Sequence, residues 1–217
     1  MSGRFVLFLI GLWERISWRF YKLLDTDVYP ALLTKTAGVE AGPNIRLEGR
    51  PRIELSEGSK IVLGEDITLR SRNCFNHLTF SGPVTLIADG KDSRLEIGPR
   101  ASLGGVCIHA DKLISIGSDC LMGANVQVFD CPGHAPCFDS LEDRAESNGD
   151  SKPVYIEDYV WLGSNVIVLP GTRLGYGSIV ASGSVVSGRF PSYSIIMGNP
   201  AKLVIRRKPP ESDPDKS

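Results

Sequence analysis

The chain has 217 residues, 42% of them hydrophobic, which is enough for one large globular domain or two small ones. Its 24 lysine and arginine residues nearly balance 25 acidic residues, and this excludes a strongly basic surface for nucleic acid. The odd set of five cysteines contains no CxxC pair, which is typical of a reduced, cytoplasmic protein: Cys74, Cys107, Cys120, Cys131 and Cys137.

The N-terminal segment, residues 1–40, differs in composition from the rest of the chain. Its apolar run from Phe5 to Trp13 is shorter than the ~20 residues that span a bilayer, and no small-x-small cleavage site follows it. We therefore expect neither a transmembrane helix nor a secretion signal. Aromatic and basic residues alternate within residues 4–24, which predicts an amphipathic helix. Such a helix lies in a membrane interface or packs on the core or on a neighbouring subunit, and both alternatives stay open.

A six-residue repeat organises the chain from Ile156 onwards. The sequence divides into IEDYVW, LGSNVI, VLPGTR, LGYGSI, VASGSV and VSGRFP, each with an aliphatic first residue and most with a small or β-branched fifth one. A period of six fits neither a helix nor a simple alternation, so the chain must turn every six residues. Three such segments make a coil of about 18 residues that pairs with the next coil through parallel strands. The repeat predicts an all-β solenoid, which we place at residues 41–207.

The same pattern appears upstream, as IGPRAS and LGGVCI from Ile97 and as IGSDCL and MGANVQ from Ile116. In this frame Cys107 and Cys120 take the small fifth position. We therefore expect both to be buried and to fill space in the core.

One long loop interrupts the repeat. The hexads stop after Val128 and resume at Val154, which leaves an extended polar loop over residues 129–153, and loops of this length are usually functional or disordered. His134 lies near its beginning, within DCPGH. An imidazole has an ordinary pKa of ~6.5 and can accept a proton at cellular pH, so His134 is a candidate general base. The flanking cysteines are spaced too tightly for a tetrahedral metal site, and we expect no metal.

Residues 95 to 207 resemble the hexapeptide-repeat acyltransferases, most closely at VWLG, LPG, ASGSVV and GNPAK. The similarity is to sugar and polysaccharide O-acetyltransferases of the maltose, galactoside and nodulation type. It implies a left-handed parallel β-helix, a homotrimer with each site between two subunits, and acetyl-CoA as acyl donor. Asn199 and Pro200 are interpreted as the start of a short C-terminal helix. Residues 208–217 are predicted to be a disordered tail.

The resemblance also assigns roles to single residues. It implies that His134 deprotonates the acceptor hydroxyl, with Asp130 orienting the imidazole as the carboxylate of a catalytic triad does. Late turns would hold the donor, with Trp161 either walling the acyl pocket or contacting a subunit; the donor candidates are Trp161, Gly163, Ala181, Ser182, Lys202, Arg206 and Arg207. Candidates for binding the acceptor are Asn125, Asp139 and Arg144. Two departures, Ala135 before Pro136 and the spacing of Asp139 and Arg144, leave the identity of the acceptor open.

Three other functions remain in view. An N-acetyltransferase for amino-sugars belongs to the same class of enzyme. A zinc hydratase of the γ-carbonic-anhydrase type uses the same solenoid but needs three converging histidines, two of them close in sequence. Here His77, His109 and His134 are widely separated. A scaffold without activity is disfavoured by the loop histidine and by the GNPAK segment.

Overall fold

The computed structural model describes residues 20–72, 78–145, 147 and 149–210. Short strands dominate these residues. In chain order they are β1 (Val39–Ala41), β2 (Arg46–Glu48), β3 (Arg52–Leu55), β4 (Lys60–Leu63), β5 (Thr68–Arg70), β6 (Thr85–Ala88), β7 (Arg94–Ile97), β8 (Ser102–Gly104), β9 (Cys107–Ala110), β10 (Leu113–Ile116), β11 (Leu121–Met122), β12 (Gln127–Phe129), β13 (Val154–Ile156), β14 (Trp161–Leu162), β15 (Ile167–Val168), β16 (Arg173–Leu174), β17 (Ile179–Val180), β18 (Val185–Val186), β19 (Arg189–Phe190), β20 (Ser194–Gly198) and β21 (Ala201–Arg206).

The strands form three parallel sheets, because each strand up to β20 pairs with the strand three positions earlier in the chain. The first sheet has the order β1-β4-β7-β10-β13-β16-β19, and the second has the order β2-β5-β8-β11-β14-β17-β20-β21. The third sheet has the order β18-β15-β12-β9-β6-β3. Each coil therefore contributes one strand to each side of a triangular solenoid. This confirms the predicted parallel β-helix.

Stacked aliphatic side chains fill the interior of the solenoid. On the second sheet one inward column joins residues that are in register and at most 4% exposed: Leu47, Leu69, Leu103, Met122, Leu162, Val180 and Ile196. Small polar residues at the fifth position of the late hexads are also buried and bond to backbone, as when the Thr172 hydroxyl donates to the Val186 carbonyl oxygen at 3.2 Å. Each coil thus depends on its neighbours for its core.

The two cysteines predicted to fill the core differ. Cys120 is fully buried, and its burial raises the pKa of its thiol to about 12. The prediction for Cys107 is wrong, because Cys107 lies exposed on the outer face of β9. The reason is a shortened coil side, since Leu103 and Ile108 both point inward but are five residues apart and Val106 takes the buried position between them.

The N-terminal helix, as far as it is described, covers residues 20–33 and packs on the first coils. It contains a π-helical stretch, Leu24–Val28, followed by an α-helical turn, Tyr29–Leu33. Asp25 accepts hydrogen bonds from the Gly49 backbone N–H at 3.0 Å and from the Arg72 guanidinium at 2.9 and 3.2 Å. Residues 4–19 of the predicted membrane segment lie outside the described residues. In the described part of the chain, no helix is both long and apolar enough to span a bilayer.

The predicted short C-terminal helix is wrong. Residues Ala201–Arg206 form β21, which pairs antiparallel with β20 after a turn at the cis peptide Asn199–Pro200. The sequence Leu203-Val204-Ile205 suits a strand, since β-branched residues favour extended backbone. β21 also gives partners to the backbone groups on the open edge of β20. Of the predicted disordered tail, residues 211–217 lie outside the described ranges.

Candidate functional site

A loop of residues 130–153 projects from one corner of the solenoid. It leaves the third sheet after Phe129, includes a 3-10 turn at Glu142–Ala145, and enters the first sheet at Val154. The pairing of β10 with β13 and of β12 with β15 continues across it, so the loop does not disturb the stacking of coils. The Lys152 N–H donates to the Asp130 carbonyl oxygen at 2.7 Å and closes the base of the loop.

Asp130 anchors the start of this loop. Its carboxylate is fully buried and accepts backbone N–H bonds from Asp111 at 2.7 Å, Lys112 at 2.9 Å and Leu113 at 2.6 Å. A buried carboxylate requires such charge-assisted bonds to offset its desolvation. The predicted orienting role of Asp130 is therefore corrected, because its two oxygens bond the corner of the preceding coil and not the imidazole of His134. Asp130 positions the loop backbone.

The backbone of His134 is fixed by packing and its imidazole ring is exposed. Buried Gly149 packs against its main chain so closely that a Cβ on Gly149 would lie 2.8 Å from the His134 carbonyl oxygen. The next residue, Ala135, donates its N–H to the Ser147 carbonyl oxygen at 3.3 Å. The imidazole makes no hydrogen bond to any other described residue. Both ring nitrogens can therefore meet an incoming hydroxyl.

The acceptor candidates fall into two groups. Arg144 and Asp139 lie in the same loop as His134, and the Arg144 Nε donates to the Cys137 carbonyl oxygen at 2.8 Å. Asn125 lies at the corner between the second and third sheets, with a φ of 61°. Its side chain accepts from the Ser81 N–H at 2.7 Å and donates to the Thr79 carbonyl oxygen at 3.2 Å. The structure gives Asn125 a role in holding residues 79–81 and does not bring it into the loop.

The donor candidates gather at the C-terminal end of the second sheet. Trp161 on β14 is 51% exposed and in register with Ile179 on β17, and Lys202 on β21 lies opposite Met197 on β20. Gly163 and Ala181 directly follow β14 and β17. Their N–H groups already donate to Val180 and Ile196 at 2.8 and 2.9 Å, so they have no N–H to offer a pantetheine arm. Ser182 is exposed at the same corner.

The C-terminal hairpin carries the positive charge of this region. Lys202, Arg206 and Arg207 are exposed and form no ion pair with any described residue. Arginine and lysine suit phosphate by charge and hydrogen-bond geometry. The aromatic surface of Trp161 on β14 lies on the same sheet as this cationic strand, with β17 and β20 between them.

A second-sheet patch of apolar residues was not predicted from the sequence. Outward-facing Leu121, Trp161 and Ile179 are 50%, 51% and 37% exposed and stand in register on neighbouring strands. On β20 the residue in register is half-buried Ile195, and exposed Met197 lies two residues further along that strand. The signal was present, because Leu121, Trp161 and Ile179 each take the sixth position of a hexad. That position follows the buried fifth and faces outward.

The base and the donor candidates lie on different sides of one subunit. The loop of His134 leaves the corner between the third and first sheets, whereas the donor residues lie on the second sheet and at its corner with the third. Within the described residues no three His, Cys, Asp or Glu side chains converge as metal ligands, and His77 lies outside these residues. His109 instead bonds Asp89, with 2.6 Å between Nε2 and Oδ1.

Comparisons with known proteins agree with this architecture. The family model described as the hexapeptide repeat of succinyl-transferase matches residues 113–129 and 153–187. A galactoside O-acetyltransferase of Lactococcus lactis is 38% identical over 141 residues, which is 65% of this chain and 63% of that protein. The chain spans between 31% and 63% of the length of curated relatives such as this one.

Solved structures share the fold at low sequence identity. A galactoside acetyltransferase in complex with coenzyme A is 20% identical with a TM-score of 0.52, covering 89% of this chain and 78% of that one. A hexapeptide-repeat acetyltransferase of Vibrio cholerae with acetyl coenzyme A is also 20% identical with a TM-score of 0.52, covering 88% and 85%. The predicted resemblance to hexapeptide-repeat acetyltransferases is thus confirmed in sequence repeat and fold, in agreement with a left-handed β-helix.

Proposed function

We propose that this hexapeptide-repeat protein is an acetyl-CoA-dependent O-acetyltransferase that modifies a hydroxyl of a saccharide, as part of polysaccharide or glycoside modification. The observation that carries the proposal is His134, an exposed imidazole without a partner among the described residues, held on an anchored loop. The names of a relative and of a structural neighbour, a galactoside O-acetyltransferase and a maltose O-acetyltransferase, support the class of acceptor.

The reaction proposed for His134 is a direct transfer. Acetyl-CoA, when bound, supplies an activated thioester. The neutral imidazole accepts the hydroxyl proton as the acceptor oxygen attacks the thioester carbonyl, because an alcohol is a poor nucleophile without such help. The carbon–sulfur bond then breaks, and the imidazolium returns the proton to the leaving thiolate. Asp130 contributes by holding the first residue of the loop to the coil beneath it.

The donor would lie along the end of the second sheet. Trp161 would offer an apolar surface beside the acyl group, and the pantetheine arm would pass exposed Ser182 at the corner that it forms with Ala181 and buried Gly163. Lys202, Arg206 and Arg207 would contact the phosphates of the nucleotide. The four described cysteines are all free, which supports action in the cytoplasm, where thiols stay reduced.

We infer a homotrimer, and the separation of these groups supports it. A single chain has its loop and its donor candidates on different sides, so in the trimer the loop of one subunit would meet the second sheet of its neighbour. The second-sheet patch of Leu121, Trp161 and Ile179 supports such packing, since contiguous exposed apolar residues mark contact surfaces. A stable monomer in solution, measured by light scattering, would overturn this assembly.

The test compares His134→Ala with His109→Ala. We expect His134→Ala to lower kcat for acetyl transfer by about two to four orders of magnitude, the usual contribution of a positioned base. CoA binding and the thermal unfolding temperature should stay at the values of the unsubstituted protein. His109→Ala is the matched control, because it removes a half-buried histidine of the solenoid that is bonded to Asp89, and it should retain activity.

A set of different acceptors distinguishes O-acetylation from N-acetylation. Labelled acetyl-CoA is offered with neutral glycosides and with amino-sugars, and the products are separated by stability to mild base, which cleaves esters but not amides. Base-labile products support O-acetylation, whereas amides alone would move the protein to the N-acetyltransferases. Near-normal activity of His134→Ala would show that His134 is not the base.

A further inference from the structure

The N-terminal helix has two differently used sides. One side carries residues four apart that face the solenoid: Tyr21, Asp25, Tyr29 and Leu33. The π-helical stretch, in which the Tyr29 N–H bonds the Leu24 carbonyl oxygen, widens the turn beyond the 3.6 residues of an α-helix. Residues four apart therefore stay in line along the whole helix.

Beside this solenoid-facing side, the helix exposes apolar residues spaced three to five apart, three of which directly precede a solenoid-facing residue. We name Phe20, Leu23, Val28 and Leu32 the helix stripe, and their exposed fractions are 55%, 52%, 38% and 55%. Leu24 lies half-buried between Phe20 and Val28. A helix that only capped the solenoid would turn polar residues outward. An exposed apolar stripe indicates a second contact.

The sequence before the helix indicates what this contact is. The sequence before Phe20 includes the apolar run Phe5 to Trp13. Residues 1–33 contain four basic residues, Arg4, Arg15, Arg19 and Lys22, against three acidic ones, Glu14, Asp25 and Asp27, and Asp25 is neutralised by Arg72 of the solenoid. Apolar and aromatic residues next to basic ones bind anionic lipid surfaces.

We propose that the helix stripe lies on an anionic lipid surface while the solenoid-facing side of the helix stays bound to the solenoid. Asp25 fixes the helix to the solenoid through its bonds to Gly49 and Arg72, and we call this contact the latch. The side chains of Arg72 and Asp25 are mostly buried, with 26% and 12% exposed. The latch joins the helix to the turns that follow β2 and β5. Lipid binding therefore holds the solenoid itself at the surface and needs no unfolding of the helix.

The experiment measures co-sedimentation of the full chain with lipid vesicles. The vesicles contain phosphatidylcholine alone or phosphatidylcholine mixed with anionic phosphatidylglycerol. We expect binding to the mixed vesicles and at least tenfold weaker binding by a variant with Phe20→Ser, Val28→Ser and Leu32→Ser. Leu78→Ser is the matched control, because it removes an exposed leucine of the solenoid, and it should bind as the unsubstituted protein does.

Three outcomes would overturn the proposal. They are absence of binding to either vesicle, equal binding by the stripe variant, and a change in the mass of the assembly on substitution, which would mean that a second copy covers the stripe. If the triple variant unfolds, Leu23→Asp alone gives the same test. Acetyl transfer to a water-soluble glycoside should be unchanged in the stripe variant. That assay separates a failure of lipid binding from a failure of the proposed catalytic function.

Discussion

The coils on the two sides of the long loop build the same three sheets from sequences of unequal regularity. After the loop, an aliphatic residue recurs every six residues from Ile156 to Val186, and all of these residues are at most 2% exposed. Before the loop, one coil side shortens to five residues between Leu103 and Ile108. Leu69 and Leu95 are nevertheless as buried as any later residue. The solenoid therefore depends on inward columns in register and tolerates coil sides of different length.

The largest expected effect tests whether the two regions have equally tight cores. Leu69 before the loop and Leu162 after it belong to the same inward column and are both fully buried. Each substitution to alanine should lower the free energy of unfolding by about 2–5 kcal/mol, because it leaves a cavity among fixed neighbours. Urea unfolding measures both. A loss for Leu69→Ala of only about a tenth of that for Leu162→Ala would show that the irregular coils are loosely packed.

A substitution at Asp130, where the two regions meet, should lower the free energy of unfolding somewhat less than the loss of a buried leucine. Asp130→Ala removes the acceptor of three backbone N–H groups and should cost about 2–3 kcal/mol, since exposed Lys112 can turn its N–H to water. Asp130→Asn keeps one oxygen acceptor and should lose about half as much. Limited proteolysis should cut residues 130–153 faster in the alanine variant. Unchanged proteolysis and stability would mean that the carboxylate does not anchor the loop.

The smallest effect distinguishes the shortened coil side from a regular one. Cys107→Ser should change stability by less than ~0.5 kcal/mol, because Cys107 lies on the surface. Cys120→Ser should cost about 1–3 kcal/mol, because it buries a hydroxyl in place of a thiol. Chemical denaturation of the two variants measures the difference. Equal losses would mean that Cys107 belongs to the core after all.

The pH dependence of the same pair sharpens this contrast. The Cys120 thiol keeps its proton in the folded chain, with its pKa raised from 9.0 to about 12 by burial. In the unfolded chain it ionises near 9, so its stabilising contribution is complete below pH 9 and falls as the pH rises from 9 towards 12. This slope should vanish in Cys120→Ser. At pH 8 a thiol reagent should modify Cys107 in the folded protein and leave Cys120 unmodified.

The sequence predicted the contacts that the six-residue repeat determines. It did not predict contacts between side chains and backbone of different coils, which depend on how the coils stack. Hexads such as LGSNVI predicted the three sheets, the buried Leu162 and the position where the loop interrupts the coils. The partners of Asp130 lie 17 to 19 residues earlier, which is one coil beneath it, so only the stacked structure reveals them. The prediction for Cys107 was wrong because it assumed six residues in every coil side, whereas the side from Leu103 to Ile108 has five. The motif GNPAK favoured a helix, although the residues after it, Leu203 to Ile205, have strand propensity.

Strand β21 has a consequence for how copies of this protein meet. A stack of parallel coils ends in bare backbone donors and acceptors, and a free end of this kind invites another stack to continue it, head to tail, without limit. On the second sheet β21 occupies that end in the opposite direction, while at the other end of the stack Tyr29 and Leu33 of the helix lie against the core. β21 therefore blocks the β20 edge of the second sheet against a second stack that would continue this sheet head to tail.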